Sequence, residues 1–157
     1  MGERGQASVE HVGLVLMVAL VFAGGVALAT DAPVRSPQEV VDGRMASSLE
    51  RFLAHRRSLA RDPRLDWSTD RCSAPLVGSR GQSFDFTDAC RRHDFGYRNY
   101  GRLGLFEARR RAVDERFLAD MRDHCATRPR WEMVRCLAWA RTFYLGVRAF
   151  GWAAGPG

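Results

Sequence analysis

The stretch CRRHDFGYRNY, residues 90–100, decides how this chain is read. On a helix, Cys90, His93, Asp94 and Tyr97 stand three or four positions apart and share neighbouring positions. The preceding DWSTDRCSAPLVGSRGQSFDF, residues 66–86, is rich in Ser, Gly and Asp and has no helical period. It reads as a long functional loop. If Cys90 bonds Cys72, the loop residue Asp70 is drawn toward Asp94, beside His93. Two carboxylates so placed repel unless a cation joins them, and calcium binds through such oxygens and through backbone carbonyls. An imidazole that titrates near neutrality suits a general base and needs a partner, usually a carboxylate, to fix its tautomer. Asp114 is the best placed, beside Val113 and one turn before Phe117, so that it should face inward and need a hydrogen-bond partner. The plainer alternatives are a structural or exposed His93, and an Asp114 paired with Arg110 or Arg111.

Outward from this core, SPQE at 36–39 opens a helix, with Ser36 as cap, Pro37 in the first turn and Glu39 completing a capping box. Val40, Val41, Leu49, Phe52 and Leu53 recur at helical spacing, and Asp62-Pro63 ends that helix. A second helix is predicted from Thr87 to Tyr100, stopping at Gly101. A third runs from Phe106 to His124, with Val113, Phe117, Leu118 and Met121 on one side. A fourth starts near Pro129 and carries Met133, Leu137, Ala140, Tyr144 and Val147. The tail AFGWAAGPG should fray. No strong strand pattern and no internal repeat occur. The fold class is therefore all-α: a small disulfide-stapled bundle with a calcium-binding loop, preceded by one N-terminal transmembrane-type helix.

The 157 residues suit one modest domain plus extras, and 46% apolar with 27% charged residues excludes a disordered or collagen-like chain. All 24 basic residues are arginine, and the net charge is +6. That points either to a GC-rich coding bias or to an anionic partner, a phospholipid surface or nucleic acid. The arginines are spread from Arg4 to Arg148 with no nucleic-acid motif, so no nucleic-acid partner is expected. Cys72, Cys90, Cys125 and Cys136 behind an export segment read as two disulfides. Three connectivities are open, and zinc is disfavoured because no C-x2-C pair occurs.

Between Glu10 and Asp31 lies HVGLVLMVALVFAGGVALAT, residues 11–30, long enough to span a bilayer as a helix. Before it, MGERGQASVE places Glu10 five residues after Gly5. This resembles the class III signal of type IV and tight-adherence pilins, which implies cleavage after Gly5 and contact with pilus or secretion machinery. The alternative is a plain membrane anchor. Either way residues 31 onward should lie outside the cytoplasm, anchored by residues 11–30 or secreted after processing. The expected organisation is a signal or anchor at 1–30, a linker at 31–35 and a catalytic domain at 36–157.

DWSTDRC followed by FDFTDACRRHDFGYRNY resembles the secreted prokaryotic and fungal phospholipase A2 family, and the similarity continues through VDERFLADMRDHC and Cys136, over about residues 45–150. The resemblance implies a small, mostly helical fold with two disulfides, and calcium-dependent hydrolysis of the sn-2 ester of glycerophospholipids. It implies His93 as catalytic base and Asp114 as the aspartate that orients it. It implies calcium ligands in Asp70, Asp94 and the backbone carbonyl of Arg71. It also implies the pairings Cys72–Cys90 and Cys125–Cys136. The departure is SAPLVGSRGQS between Cys72 and Phe84, where Leu76, Val77 and Phe84 could touch lipid or pack in the core. The rival expectation is a non-catalytic, pilin-like or surface-anchored protein that retains the module.

Overall fold

Ser36 forms the expected capping box: its Oγ accepts from the Glu39 amide at 3.2 Å, and the Glu39 carboxylate accepts from the Ser36 amide at 2.7 Å. Five helices follow in the computed structural model: α1 Pro37–Ala46, α2 Leu49–Arg57, α3 Thr87–Arg102, α4 Phe106–Ala126 and α5 Arg130–Phe150. The structure describes residues 34–70 and 84–151, and among these there is no strand. The chain divides between Val34 and Arg35 into two units. Apart from Val34 the first unit lies outside the described residues, so Gly5, Glu10 and the 11–30 span do too. Among the described residues no helix is long and apolar enough to cross a membrane.

The single helix expected from Pro37 to Asp62 is two. Ser47 adopts an extended conformation, and the Ser48 side chain caps α2 by accepting from the Arg51 amide at 3.2 Å. The apolar period carries across the break, but the Ser47 carbonyl turns away to accept from Arg92 of α3 and Arg116 of α4. Tertiary bonds here outweigh one further helical turn.

The helix α3 runs two residues further than expected, to Arg102, and the glycine that stops it is Gly104 rather than Gly101. Gly101 is helical and buried, and Gly104 has φ 68°. The Leu105 amide donates to the Tyr100 carbonyl and the Gly104 amide to the Gly101 carbonyl, which closes a Schellman motif. Only the glycine placed in the left-handed region can do this without strain.

Two apolar clusters flank α3. One joins Val41, Met45 and Phe52 of α1 and α2 to Trp67, Phe95, Tyr100 and Val113. The other joins Phe86, Phe117, Met121, Ala140 and Phe143 around the bonded Cys125 and Cys136. On α5, Ala140 is buried and Tyr144 and Val147 pack against this second cluster as expected, but Leu137 does not. Cys136, Ala140 and Phe143 are buried, whereas Leu137 is 38% exposed. The Cys125–Cys136 bond, with Cα atoms 5.5 Å apart, turns the Cys136 edge inward and leaves Trp131, Val134 and Leu145 outside. The tail is tied down further than expected as well. Arg110 donates to the Val147 and Arg148 carbonyls, and Gly151 is buried where a Cβ would meet the Tyr97 hydroxyl. Residues 152–157 lie outside the described residues.

The seam between α3 and α4 holds a buried ion pair, Arg92–Asp120, with both side chains 1% exposed. Arg92→Ala would leave the Asp120 charge buried beside Arg116 alone, and should cost about 3–5 kcal/mol of stability. Arg111→Ala, at the exposed Arg111–Glu115 pair, should leave the unfolding midpoint unchanged. Urea denaturation of both variants checks this, and similar small losses would mean that the buried pair does not lock the seam.

Candidate active site

His93 and Asp94 are consecutive on α3 and therefore project to different sides of the helix. His93 turns to α4, where its Nε2 lies 3.0 Å from Asp114 Oδ1. The approach is close because residue 96 is glycine: a Cβ there would lie 2.8 Å from a Val113 methyl. The imidazole sits between the rings of Tyr97 and Phe117, with centroids at 4.1 and 4.7 Å, and only 8% of the residue is exposed. A ring packed on both sides has little freedom to turn.

Asp114 is fully buried and accepts more than one hydrogen bond. Tyr97 Oη donates to Oδ1 at 2.6 Å, and Arg148 Nη1 of α5 donates to Oδ2 at 2.9 Å. Burial pushes its carboxyl up, but the bonds from His93, Tyr97 and Arg148 outweigh burial and hold it below its ordinary value. Burial and the Asp114 charge push the Tyr97 phenol up, so it remains a donor. An anionic Asp114 accepting from Nε2–H leaves the lone pair of the neutral imidazole on Nδ1. The expected alternatives for Asp114 are not taken: Arg111 pairs with Glu115, and Arg110 serves the end of α5. Arg148 lies 34 residues from Asp114 and no local pattern marks it. Tyr97 is legible in principle, four positions after His93 on the same helix face.

Asp94 turns to the segment before α3. Its Oδ2 accepts from Thr69 Oγ1 at 2.5 Å and from the Asp70 amide at 3.1 Å. Asn99, unforeseen in the sequence, clamps this segment to α3. Its Oδ1 accepts from the Asp66 amide, and its Nδ2 donates to the Asp66 and Phe95 carbonyls, each at 2.8 Å. Trp67 adds an apolar anchor, its ring centroid 4.5 Å from that of Phe95.

Burial, and then the neighbouring Asp70 charge, push the Asp94 carboxyl up, and the Thr69 bond offsets this only in part. A cation would relieve both effects, and carboxylate oxygens are hard donors, so the residues present fit calcium in kind. Among the described residues no cluster of three or more His, Cys, Asp or Glu side chains could hold a metal. A site here therefore needs carbonyl oxygens as well. Arg71, Cys72, Leu76 and Val77 lie outside the described residues. Cys90 is disulfide-bonded. Phe84 packs against the second apolar cluster, with Arg128 and Arg135 over its ring.

A carboxyl held below its ordinary value of 3.8 stabilises the fold above that pH and ceases to do so as pH falls through the lower folded value. Asp114→Asn should therefore be less stable than the parent at pH 7. The gap should narrow on acidification below pH 3.8. Thermal unfolding across that range checks the sign, since a gap that widens in acid would contradict it.

The family model described as prokaryotic phospholipase A2 matches residues 44–151. The chain is 40% identical over 110 residues to a secretory phospholipase A2 of Arthroderma benhamiae, covering 68% of this chain and 72% of that protein. It is 37% identical over 120 residues to a secretory phospholipase A2 of Beauveria bassiana, covering 74% of this chain and 60% of that protein.

Proposed function

Since the chain belongs to the prokaryotic phospholipase A2 family and is a phospholipid-hydrolysing enzyme, we propose that it cleaves the sn-2 ester of glycerophospholipids with His93 as base. The observation that carries this reading is the His93 Nε2–Asp114 Oδ1 contact at 3.0 Å in a buried seam. His93 Nδ1 removes a proton from water as the water oxygen attacks the ester carbonyl. Asp114 holds the ring and favours the imidazolium that forms. The imidazolium then returns the proton to the leaving lysophospholipid oxygen, so fatty acid and lysophospholipid are released. Calcium, when bound, supplies a positive charge that polarises the carbonyl and stabilises the oxyanion. Asp70, Asp94 and the Arg71 carbonyl are the groups that would hold it. Thr69 and Asn99 keep the Asp70 segment against α3.

The partner this reading requires is a phospholipid surface, and a net charge of +6 suits anionic headgroups. Relatives named as secretory support an extracytoplasmic site of action. The assembled His93–Asp114 pair and the family membership favour the enzyme over a non-catalytic surface protein. The signal at Gly5 and Glu10, an anchor at 11–30 and contact with pilus or secretion machinery remain part of the proposal.

Fatty-acid release from mixed phospholipid vesicles tests the reading directly. His93→Ala should lower turnover by about 10²–10⁴-fold with the thermal midpoint little changed, and chelator should abolish it. Turnover within tenfold of the parent in His93→Ala would remove His93 as base.

Asp94 gives a readout that does not depend on turnover. Its carboxyl is raised above 3.8, so it favours the fold below that pH and disfavours it as pH rises through the folded value. In chelator at pH 7, Asp94→Asn should be no less stable than the parent. Calcium should raise the midpoint of the parent and not that of Asp94→Asn, and the rise should shrink in acid. An equal calcium response in both would take Asp94 out of the metal site.

A further inference from the structure

Between them, α1 and α2 form a groove of about 520 Å³ that no part of the proposed chemistry uses. Its lining carries Arg35 and Arg44 from the α1 side, Arg51 and His55 from α2, and two acids, Glu39 and Asp62. Both acids hold other partners as well as answering a groove cation, Glu39 facing Arg35 and Asp62 facing His55. Glu39 closes the capping box with the Ser36 amide. Asp62 is held by Arg64 through Nε at 3.0 Å and Nη2 at 2.6 Å. None of Arg35, Arg44 and Arg51 makes a side-chain ion pair among the described residues. The Arg44 Nε is buried and has no hydrogen-bond partner among the described residues.

The two acids answer only part of the positive charge, and the cations also act on one another. Burial first, and then the Arg35 charge, push the Arg44 guanidinium down. Burial and the Arg44 charge do the same to His55, and Asp62 offsets this only in part. A concave set of like charges with an unanswered buried donor is what an oxyanion completes. Guanidinium forks match two oxygens at a time, and three of them around one groove suit a tetrahedral, multiply charged group better than a carboxylate.

We propose that the groove between α1 and α2 is a phosphate-binding site, separate from His93, in which Arg35, Arg44 and Arg51 hold the oxyanion. The phosphate would be either free in solution or the headgroup of a phospholipid other than the one being cleaved. The site stands whether or not His93 is the base.

Full-length protein in chelator is titrated with inorganic phosphate, with chloride at matched ionic strength as reference, and thermal unfolding is followed. Binding to the native state raises the midpoint with the logarithm of ligand concentration. If free phosphate is the ligand, the parent and His93→Ala should respond to phosphate and not to chloride. Arg44→Gln and Arg51→Gln should lose the response, and Arg122→Gln, on the exposed side of α4, should keep it. Arg44→Gln removes an unanswered buried group, so in phosphate-free buffer it should be as stable as the parent; Arg51 is exposed and its variant folds regardless. A second arm measures co-sedimentation with phosphatidylcholine vesicles, with and without phosphatidic acid. Tenfold weaker binding to the phosphatidic acid vesicles in Arg44→Gln and Arg51→Gln, with little response to inorganic phosphate, identifies the headgroup as ligand. A response to inorganic phosphate without that vesicle effect identifies the free anion. No difference between parent and groove variants in either arm overturns the site, as does an equal loss in Arg122→Gln.

Discussion

The register of α3 against α4 is the constraint on which the rest of the molecule depends, and the buried Arg92–Asp120 pair sets it. Burial pushes Asp120 up and Arg92 down, and each charge offsets the other's cost only in part. Apolar residues of similar volume would fill this space at no greater cost, so the pair contributes little to stability as such. What it contributes is a geometry that apolar side chains do not specify. Arg92 donates through Nε to Asp120 at 2.8 Å and through a second nitrogen to the other oxygen, so one helix cannot slide on the other without breaking both. The helices are antiparallel in contact, with 92 opposite 120 and 97 opposite 114. His93 reaches Asp114 only in that register.

The same seam handles two carboxylates in opposite ways. Asp114 is fully buried and Asp94 half-buried, and burial raises both. Asp114 faces three donor side chains, His93 and Tyr97 on α3 and Arg148 on α5, and ends below its ordinary value. Asp94 has one hydroxyl, one amide and a second acid nearby, and ends above it. A carboxylate already fully answered by donors is suited to orient a histidine and has no capacity left for a metal. A carboxylate left short of positive charge is suited to a cation. The division of roles between them follows from who donates to each, not from any difference between the two side chains.

Much of this is legible in the sequence because it is local. His93, Asp94 and Tyr97 share one helix at fixed spacing, and Val113 and Phe117 place Asp114 inward by the same periodicity. The features that escape it are settled by contacts distant in the chain. Ser47 and Ser48 both allow a cap, yet the apolar period runs straight across them; the break exists because Arg92 and Arg116 take the Ser47 carbonyl. Gly101 and Gly104 are equal stop signals by composition, and only the closing hydrogen bonds distinguish them. On α5 the apolar pattern holds at Ala140, Tyr144 and Val147, but the disulfide puts Cys136 inward and Leu137, one residue on, faces outward. Arg148 and Asn99 act on partners 34 and 33 residues away, beyond any periodic rule.

Both ends of the seam are secured, by different means. Near the Arg92–Asp120 end lie Cys90, which is disulfide-bonded, and Cys125, bonded to Cys136 at the turn into α5. At the far end no cysteine is present on α3 or α4, and hydrogen bonds do the corresponding work. Arg110 holds the last carbonyls of α5, Arg148 returns to Asp114, and Gly151 lets Tyr97 fit beneath the end of that helix. Covalent bonds limit how far the unfolded chain can spread, but they do not orient a side chain to a few tenths of an ångström. The buried hydrogen bonds do that, and they lie where His93 and Asp114 meet. The helix α5 thus belongs to the active site although it supplies no reacting group: its Arg148 is one of the three donors that hold the Asp114 carboxyl below its ordinary value.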